Sequence, residues 1–223
     1  MKVASLVHNN FIYDSRVEKQ AMALARAGYN LTVFGLWEKG LSEEESKVDF
    51  QVKRVKIICT FLKGPLGRLI KFIEFTCKLS WRIKEMDVVH CHDYHPLPAA
   101  ILANLIFRSN FRIIYDAHEY ESQKLGLGKM SKVVIRVLEK LSSHFVDGFI
   151  TVSNSIMEAY EKLFPLIPKA IIFNCPPKWK KSSKNFFREK LNIADKSLVC
   201  LYQGGFMPGR AISILLQAIE CIE

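Results

Sequence analysis

The chain lacks any apolar run long enough to cross a bilayer. Its most hydrophobic stretch, residues 96–107, falls short of the ~20 residues a spanning helix needs and carries Asn104. A secretory leader is likewise not expected. Met1-Lys2 is followed by a short apolar stretch that ends at His8-Asn9-Asn10, which makes the cytoplasm the expected compartment. No Cys-x-x-Cys pair occurs among the six scattered cysteines, so a disulfide framework is not expected and free, hydrophobe-like thiols are. No Gly-x-Gly-x-x-Gly follows the first apolar run, and no Gly-x-x-x-x-Gly-Lys-Ser/Thr occurs anywhere. A dinucleotide dehydrogenase and a P-loop nucleotidase therefore lack their signatures. Internal repeats and low-complexity tracts are also missing.

What is present is an alternation of short apolar runs with helical patterns. Residues 2–7, 31–34, 88–90, 111–115, 148–152 and 170–173 read as strands, and 49–58 as an extended segment. Residues 15–27, 66–84, 98–107, 132–145 and 154–163 read as helices. At the first helix, Ser15 and Glu18 have capping-box spacing, Val17, Ala21 and Leu24 share a face, and Gly28 suits the C-terminal cap. Repeated β-α-β units predict an α/β fold, a Rossmann-like doubly wound parallel sheet. Residues 1–173 form the expected first domain. Residues 174–185, rich in lysine with two prolines, read as a linker. A helix at 186–191, a strand at 198–202 and a helix at 211–221 read as the start of a second, incomplete domain.

Ligands of open α/β sheets bind beyond the carboxyl ends of the strands. The residues there are His8-Asn9-Asn10 with Asp14 and Arg16, then His90-Cys91-His92-Asp93-Tyr94-His95, then Asp116-Ala117-His118-Glu119, then Thr151-Val152-Ser153-Asn154. Polar, titratable side chains thus gather at one predicted edge. The His90, His92, Asp93 and His95 run is read as a strand end lining a cleft rather than as a metal site, because no separate cluster completes a tetrahedral set.

The spacing of Asp14-Ser15-Arg16-Val17 with Gly28-Tyr29-Asn30, the run Asp87 to Asp93, Tyr115-Asp116-Ala117-His118-Glu119, Ile150-Thr151-Val152-Ser153, Phe173-Asn174 and Leu201-Tyr202-Gln203-Gly204-Gly205 resembles retaining glycosyltransferases of family 4. The resemblance implies a GT-B architecture, with an acceptor-side N-terminal domain and a donor-side C-terminal domain facing across a cleft. It implies transfer of a sugar from a nucleotide sugar to a hydroxyl with retention, in cell-surface glycan or glycolipid synthesis, with no cofactor and no metal. It makes His118 the catalytic residue, near the reacting sugar. Asn9, Asn10, Asp14, Arg16, His92, Asp93, Glu119, Ser153 and Asn154 become substrate-binding, and Gly204, Gly205 and Arg210 hold the donor diphosphate. Relatives carry glycines in the first loop, where this chain has Asn9-Asn10-Phe11, and often glycine at the position of Ala211. The family's paired donor-binding glutamates have no counterpart, so residues 1–223 alone are expected to be inactive.

Net charge is +10, with an isoelectric point near 9.3, which suggests anionic partners. Lys63, Arg68, Lys71, Lys78, Arg82 and Lys84 face one acid, Glu74, and interleave with Leu66, Leu69, Phe72, Ile73 and Trp81. Such a helix fits an anionic membrane surface as well as a solvated core helix. The expected partners are a nucleotide sugar, a glycan or lipid-linked acceptor and the inner membrane face; nucleic acid is not expected. Two other functions fit the residues: a nucleotide-sugar epimerase of GT-B shape, and a membrane- or acceptor-binding module without turnover.

Overall fold

Successive side chains of a strand point to opposite faces, and the first strand, β1 (Lys2–Leu6), is apolar on both. Ala4 and Leu6 enter one buried cluster and Val3 another. That is the pattern of a strand at the centre of a sheet with helices on both sides. The computed structural model describes residues 1–124, 126–176, 178, 186–204, 206 and 211–221. They divide into two units, Met1–Asn174 and Cys175–Glu223.

The first unit continues with α1 (Ser15–Arg26), β2 (Asn30–Leu36), β3 (Glu44–Ser46), β4 (Gln51–Val55), α2 (Gly64–Ile83), β5 (Val88–His92), α3 (Leu97–Phe107), β6 (Arg112–Ala117), α4 (Lys129–Ser142), β7 (Gly148–Thr151), α5 (Asn154–Tyr160) and β8 (Lys169–Ile171). The strand order is β3-β4-β2-β1-β5-β6-β7-β8. All neighbours are parallel except β3 and β4. The chain winds outward from β1 in both directions, so the switch point lies between β1 and β5. On one face α2, α3 and α5 bury Phe75, Leu79, Ala99, Ala103 and Tyr160 against Leu6, Cys91, Tyr115 and Phe149. On the other, α1 buries Val17 and Ala21 against Val3, Val7, Leu31 and Val33.

A buried polar contact fastens α4 to the first of these layers. The Tyr115 and Tyr160 hydroxyls both donate to Glu139 Oε1, Tyr115 at 2.7 Å. Burial pushes the Glu139 carboxyl above its ordinary range.

Local chemistry moved several expected boundaries. Asp14, not Ser15, caps α1: its Oδ1 accepts from Val17 N at 3.2 Å, and its charge suits the helix N-terminus. Gly28 follows the helix with φ of 88°, a conformation that glycine adopts without penalty. The extended segment at 49–58 shortens to β4. The unexpected antiparallel β3 has no apolar alternation, and a tertiary clamp holds it. Arg54, 2% exposed, reaches Ser42 O at 3.0 Å, Glu45 Oε2 at 2.8 Å and Asn10 O at 3.0 Å.

The second unit contains α6 (Phe186–Leu191) and α7 (Ile212–Glu220). Residues 198–202 form no strand, a correction to the sequence reading. Strand geometry needs a partner ladder, and none is supplied among the described residues of this unit. Ile214, Leu216 and Ile219 of α7 are exposed. No described helix is long and apolar enough to cross a membrane.

Glu74 of α2 fixes the segment that enters this helix. Its oxygens accept from Ile58 N at 2.8 Å and Cys59 N at 2.9 Å, and Lys78 Nζ lies 2.6 Å away. The Lys78 contact, then the two backbone bonds, hold its pKa at about 2 against an ordinary 4.5. A depressed carboxylate stabilises the fold above its unfolded pKa, and that contribution disappears as pH falls toward the folded value. Glu74→Gln is therefore expected to destabilise by about 1 kcal/mol at pH 7, solvent screening taking part of the gain. The difference in urea midpoint should vanish between roughly pH 5 and pH 2. A gap that persists at pH 2 would contradict the charge-based account.

Candidate active site

The site is built by strand register. Parallel pairing sets Ser5 beside His90 and His92 beside Asp116, all on the sheet face that carries α1. Asp116 is fully buried. Its Oδ2 accepts from Gln20 Nε2 of α1 at 2.9 Å and lies 3.3 Å from His90 Nε2, 3.6 Å from His92 Nδ1 and 3.6 Å from His118 Nε2. Burial alone would raise this carboxyl, but the three imidazoles outweigh it and hold the group well below the usual carboxylate range. His92, buried on the same face, is pushed down to about 4 by burial and by His90, so it is neutral at pH 7. Its Nε2 meets Ser5 Oγ at 2.8 Å and its Nδ1 meets His118 Nε2 at 3.2 Å.

His118 follows β6 and is 12% exposed at its side chain, the most exposed of the three imidazoles. Asp93 Oδ1 accepts from its backbone N–H at 3.3 Å and stands 3.7 Å from Nδ1. That second distance is too long for a hydrogen bond and leaves Nδ1 without one among the described residues. Asp93 itself has a φ of 61°, a left-handed conformation that short polar side chains tolerate. Beside it Glu121 is fully buried, with Lys124 Nζ at 2.8 Å from Oε2. Burial and the neighbouring Asp93 push Glu121 up to about 8. Asp93 is lowered, since the charge of His118 and the Glu121 contact overcome its burial.

Two cavities that share Asp14, Asp93 and His118 as lining residues open here. One of about 130 Å³ is lined by His8, Asn9, Asp14, His92, Asp93, His95 and His118. The other, of about 260 Å³, is lined by Tyr13, Asp14, Arg16, Asp93, His118, Glu119, Lys124 and Asn174. The structure thus gathers Asn9, Asp14, Arg16, His92, Asp93, His118 and Glu119 at one place. Asn9 is tied down, with Oδ1 accepting from Phe11 N and Nδ2 donating to Asp14. Arg16 has buried Nε and Nη1 atoms without a hydrogen-bond partner.

Asn10 faces away from both cavities, its amide donating to Glu38 and its Oδ1 accepting from Ile12 N. Ser153 lies two residues beyond β7 and caps α5 by accepting from Ile156 N; neither it nor Asn154 lines the two cavities. The left-handed residue of the first loop is Phe11, at φ of 54°, not an asparagine. Gly204 belongs to the second unit, and Gly205 and Arg210 lie outside the described residues.

Ser5, Gln20 and Glu121 were not legible as site residues. Only strand order brings the first two to Asp116. Glu121 was signalled by its position two residues beyond Glu119 in the same loop. Among the described residues, His90, His92 and Asp116 form the group whose ligand-type atoms lie within 4.8 Å of one another. Their mutual contacts and the Gln20 amide already satisfy Asp116 Oδ2.

Removing the central carboxylate strands several buried groups at once. Asp116→Ala is expected to destabilise the chain by roughly 3 kcal/mol, whereas Glu119→Ala, on an exposed side chain, stays within about 0.5 kcal/mol. Equal urea midpoints for the two variants would refute the central role.

Comparison with known proteins identifies the family. The family model described as Glycosyltransferase Family 4 matches residues 15–175. A lipopolysaccharide 1,2-N-acetylglucosaminetransferase of Salmonella typhimurium is 34% identical over 77 residues, 33% of this chain and 20% of that protein. Sucrose-phosphate synthase from Thermosynechococcus elongatus superposes with a TM-score of 0.77 at 16% identity, covering 100% of this chain and 60% of the other. Anabaena Alr3699/HepE, solved with UDP-glucose, gives 0.59 at 16% identity, covering 87% and 50%. The chain therefore spans a fifth of the curated relative and 50–60% of these two structures. The family model covers most of the chain and the sheet matches these structures: the chain belongs to glycosyltransferase family 4, and its first unit has the parallel α/β sheet of the GT-B glycosyltransferases.

Proposed function

We propose that this chain carries the acceptor-side half of a sugar-transfer site, and that the reaction moves a sugar from a nucleotide sugar to a hydroxyl with retention of configuration. The observation that carries the reading is His118. It follows β6 at the carboxyl-end edge of the sheet, the edge at which open α/β sheets bind ligands, with Asp93 near one ring nitrogen and Asp116 near the other. In this reading the acceptor hydroxyl approaches Nδ1 beside the ionised Asp93. Asp116 and His92 keep the ring from rotating, and Asn9, Asp14, Arg16 and Glu119 bound the substrate. Ser153 and Asn154 border it at the next strand end.

Gly204, Gly205 and Arg210 take the donor diphosphate, where a fixed guanidinium would stabilise charge on the leaving group. The donor is a substrate, and the scheme needs no resident cofactor or metal. Likeness to the Salmonella enzyme supports a role in cell-surface glycan or glycolipid synthesis. Such work would place the protein in the cytoplasm, peripheral at the inner membrane face.

Two outcomes test this. Joined to a complete second domain from a relative, the chain should pass radiolabel from a nucleotide sugar, drawn from a panel, into a lipid or glycan acceptor extract, and residues 1–223 alone should not. His118→Ala should lower kcat/KM by roughly 100-fold or more, the lower end of what a positioned acid or base supplies. Undiminished transfer by that variant would remove His118 from the chemistry. The surface role is tested by co-sedimentation. Leu66, Leu69, Ile73 and Trp81 of α2 are exposed among its cations. Binding to anionic vesicles should exceed binding to neutral ones and weaken with salt, since screening acts over roughly 8 Å at physiological ionic strength. Salt-insensitive, headgroup-independent binding would contradict it.

A further inference from the structure

Beside the polar cavities lies a groove of the opposite character. It has a volume of about 550 Å³ and runs between α2, the ends of β2 and β4, the loop after β5, and α4. Leu36, Ile57, Leu69, Phe72, Phe75 and Leu138 give it apolar walls. Its size falls in the range of about 300–1,000 Å³ usual for small-molecule sites. The only charged residues lining it are Arg68 and Lys71, and neither makes an ion pair or hydrogen bond among the described residues. Glu74, the one acid of α2, does not line the groove and is occupied by Lys78 and two backbone amides.

The groove shares a wall with the reacting end of the site. His8 and His95 line both it and the small cavity that holds His118. Their rings stack with centroids 4.6 Å apart and planes within 2°. Phe75 packs edge-on to His8 at 5.0 Å, and Tyr94 stacks on His95 at 3.9 Å. Burial lowers both imidazoles, His95 to about 4, so the shared wall is uncharged aromatic surface. A ligand that spans the wall meets a hydrogen-bonding cavity on one side and an apolar channel with two free cations on the other.

We infer that this groove, joined through the His8–His95 stack to the His118 cavity and bordered by Arg68 and Lys71, binds the hydrocarbon chain and phosphate of a lipid phosphate. The chain lies against Leu69, Phe72 and Phe75. The phosphate meets Arg68 and Lys71, whose charges no acid of the groove offsets. This rests on the sugar-transfer reading for its meaning, because it makes the lipid phosphate the anchor of the acceptor, but its test does not depend on turnover.

The probe is farnesyl phosphate as monomer, titrated into the full chain without donor, beside farnesol and inorganic phosphate. Farnesyl phosphate is expected to bind at least 10-fold more tightly than either half-ligand. Leu69→Glu, on an exposed position, should weaken it at least 10-fold. The pair Arg68→Glu and Lys71→Glu should erase the preference for farnesyl phosphate over farnesol while leaving the circular dichroism spectrum unchanged. Farnesol binding as well as farnesyl phosphate in the parent chain would overturn the proposal, as would binding indifferent to these variants. Lipid binding without sugar transfer would sink only the proposed reaction. Transfer to a soluble acceptor without lipid binding would sink only this inference.

Discussion

A carboxylate without solvent governs the arrangement of this domain. Burying an ionised group costs several kcal/mol unless charge and hydrogen bonds meet it. Asp116 is met by His90 and His92 from the adjoining strand, by His118 from its own strand end, and by Gln20 from α1. One atom, Oδ2, therefore ties two strands, a helix and a loop together, and through the Ser5–His92 contact a third strand. The arrangement also separates roles. His92 is enclosed and neutral, while His118 shares the cluster yet opens to the cavity. Polar residues at alternate positions of β1, β5 and β6 would be faults in an ordinary core. Here they make a polar stripe on one face and leave Cys91, Ile113, Tyr115 and Ala117 to build the other.

The central strands and the longer helices were legible because each repeats a period over several residues. The edge was not. Glu44-Glu45-Ser46 has no apolar alternation, and it becomes a strand because buried Arg54 grips Glu45 and Ser42. Local sequence cannot announce such a contact. Residues 198–202 fail in the opposite sense: apolar and strand-like, they have no neighbouring strand among the described residues to complete a ladder. The strand-end rule located His92, Asp93 and His118. It could not find Ser5 or Gln20, since only the order β2-β1-β5-β6 and its register bring them to Asp116. Asn10 shows the converse limit. It is polar and in the right loop, yet Glu38 and the Ile12 amide consume its side chain.

The first loop solves a packing problem by displacing the glycine. A Cβ added at Gly35 would lie 2.8 Å from Asn9 O, closer than real contacts allow. Leu36 N donates to that same oxygen at 2.7 Å, and Arg54 Nε holds Asn10 O. The space that lets the loop lie low thus comes from β2. Glycines within the loop become dispensable, and Phe11 takes the left-handed turn while its side chain, 5% exposed, anchors the loop in the core. A bulky residue at positive φ is costly and persists only where its surroundings over-determine it. The Phe11–Phe50 edge contact and the Asn9 hydrogen bond to Phe11 N supply that determination.

The same loop explains why two environments of opposite polarity can share a wall. His8 is the last residue before the loop turns, and its position is set by Val7, whose N–H bonds to Phe34 O of β2. It meets His95 from the loop beyond β5, so the two strands that flank the switch point each contribute one ring. A charged imidazole here would face the apolar side of Phe72 and Phe75, and two charged ones would stand 4.6 Å apart. Burial disfavours that state, and mutual repulsion disfavours it further for His95. Neutral rings can present a flat apolar surface to the groove and still offer nitrogen atoms at their edges. The boundary between the polar and apolar chambers is therefore a consequence of strand order, which places these two loops side by side, and of the desolvation that follows from their contact.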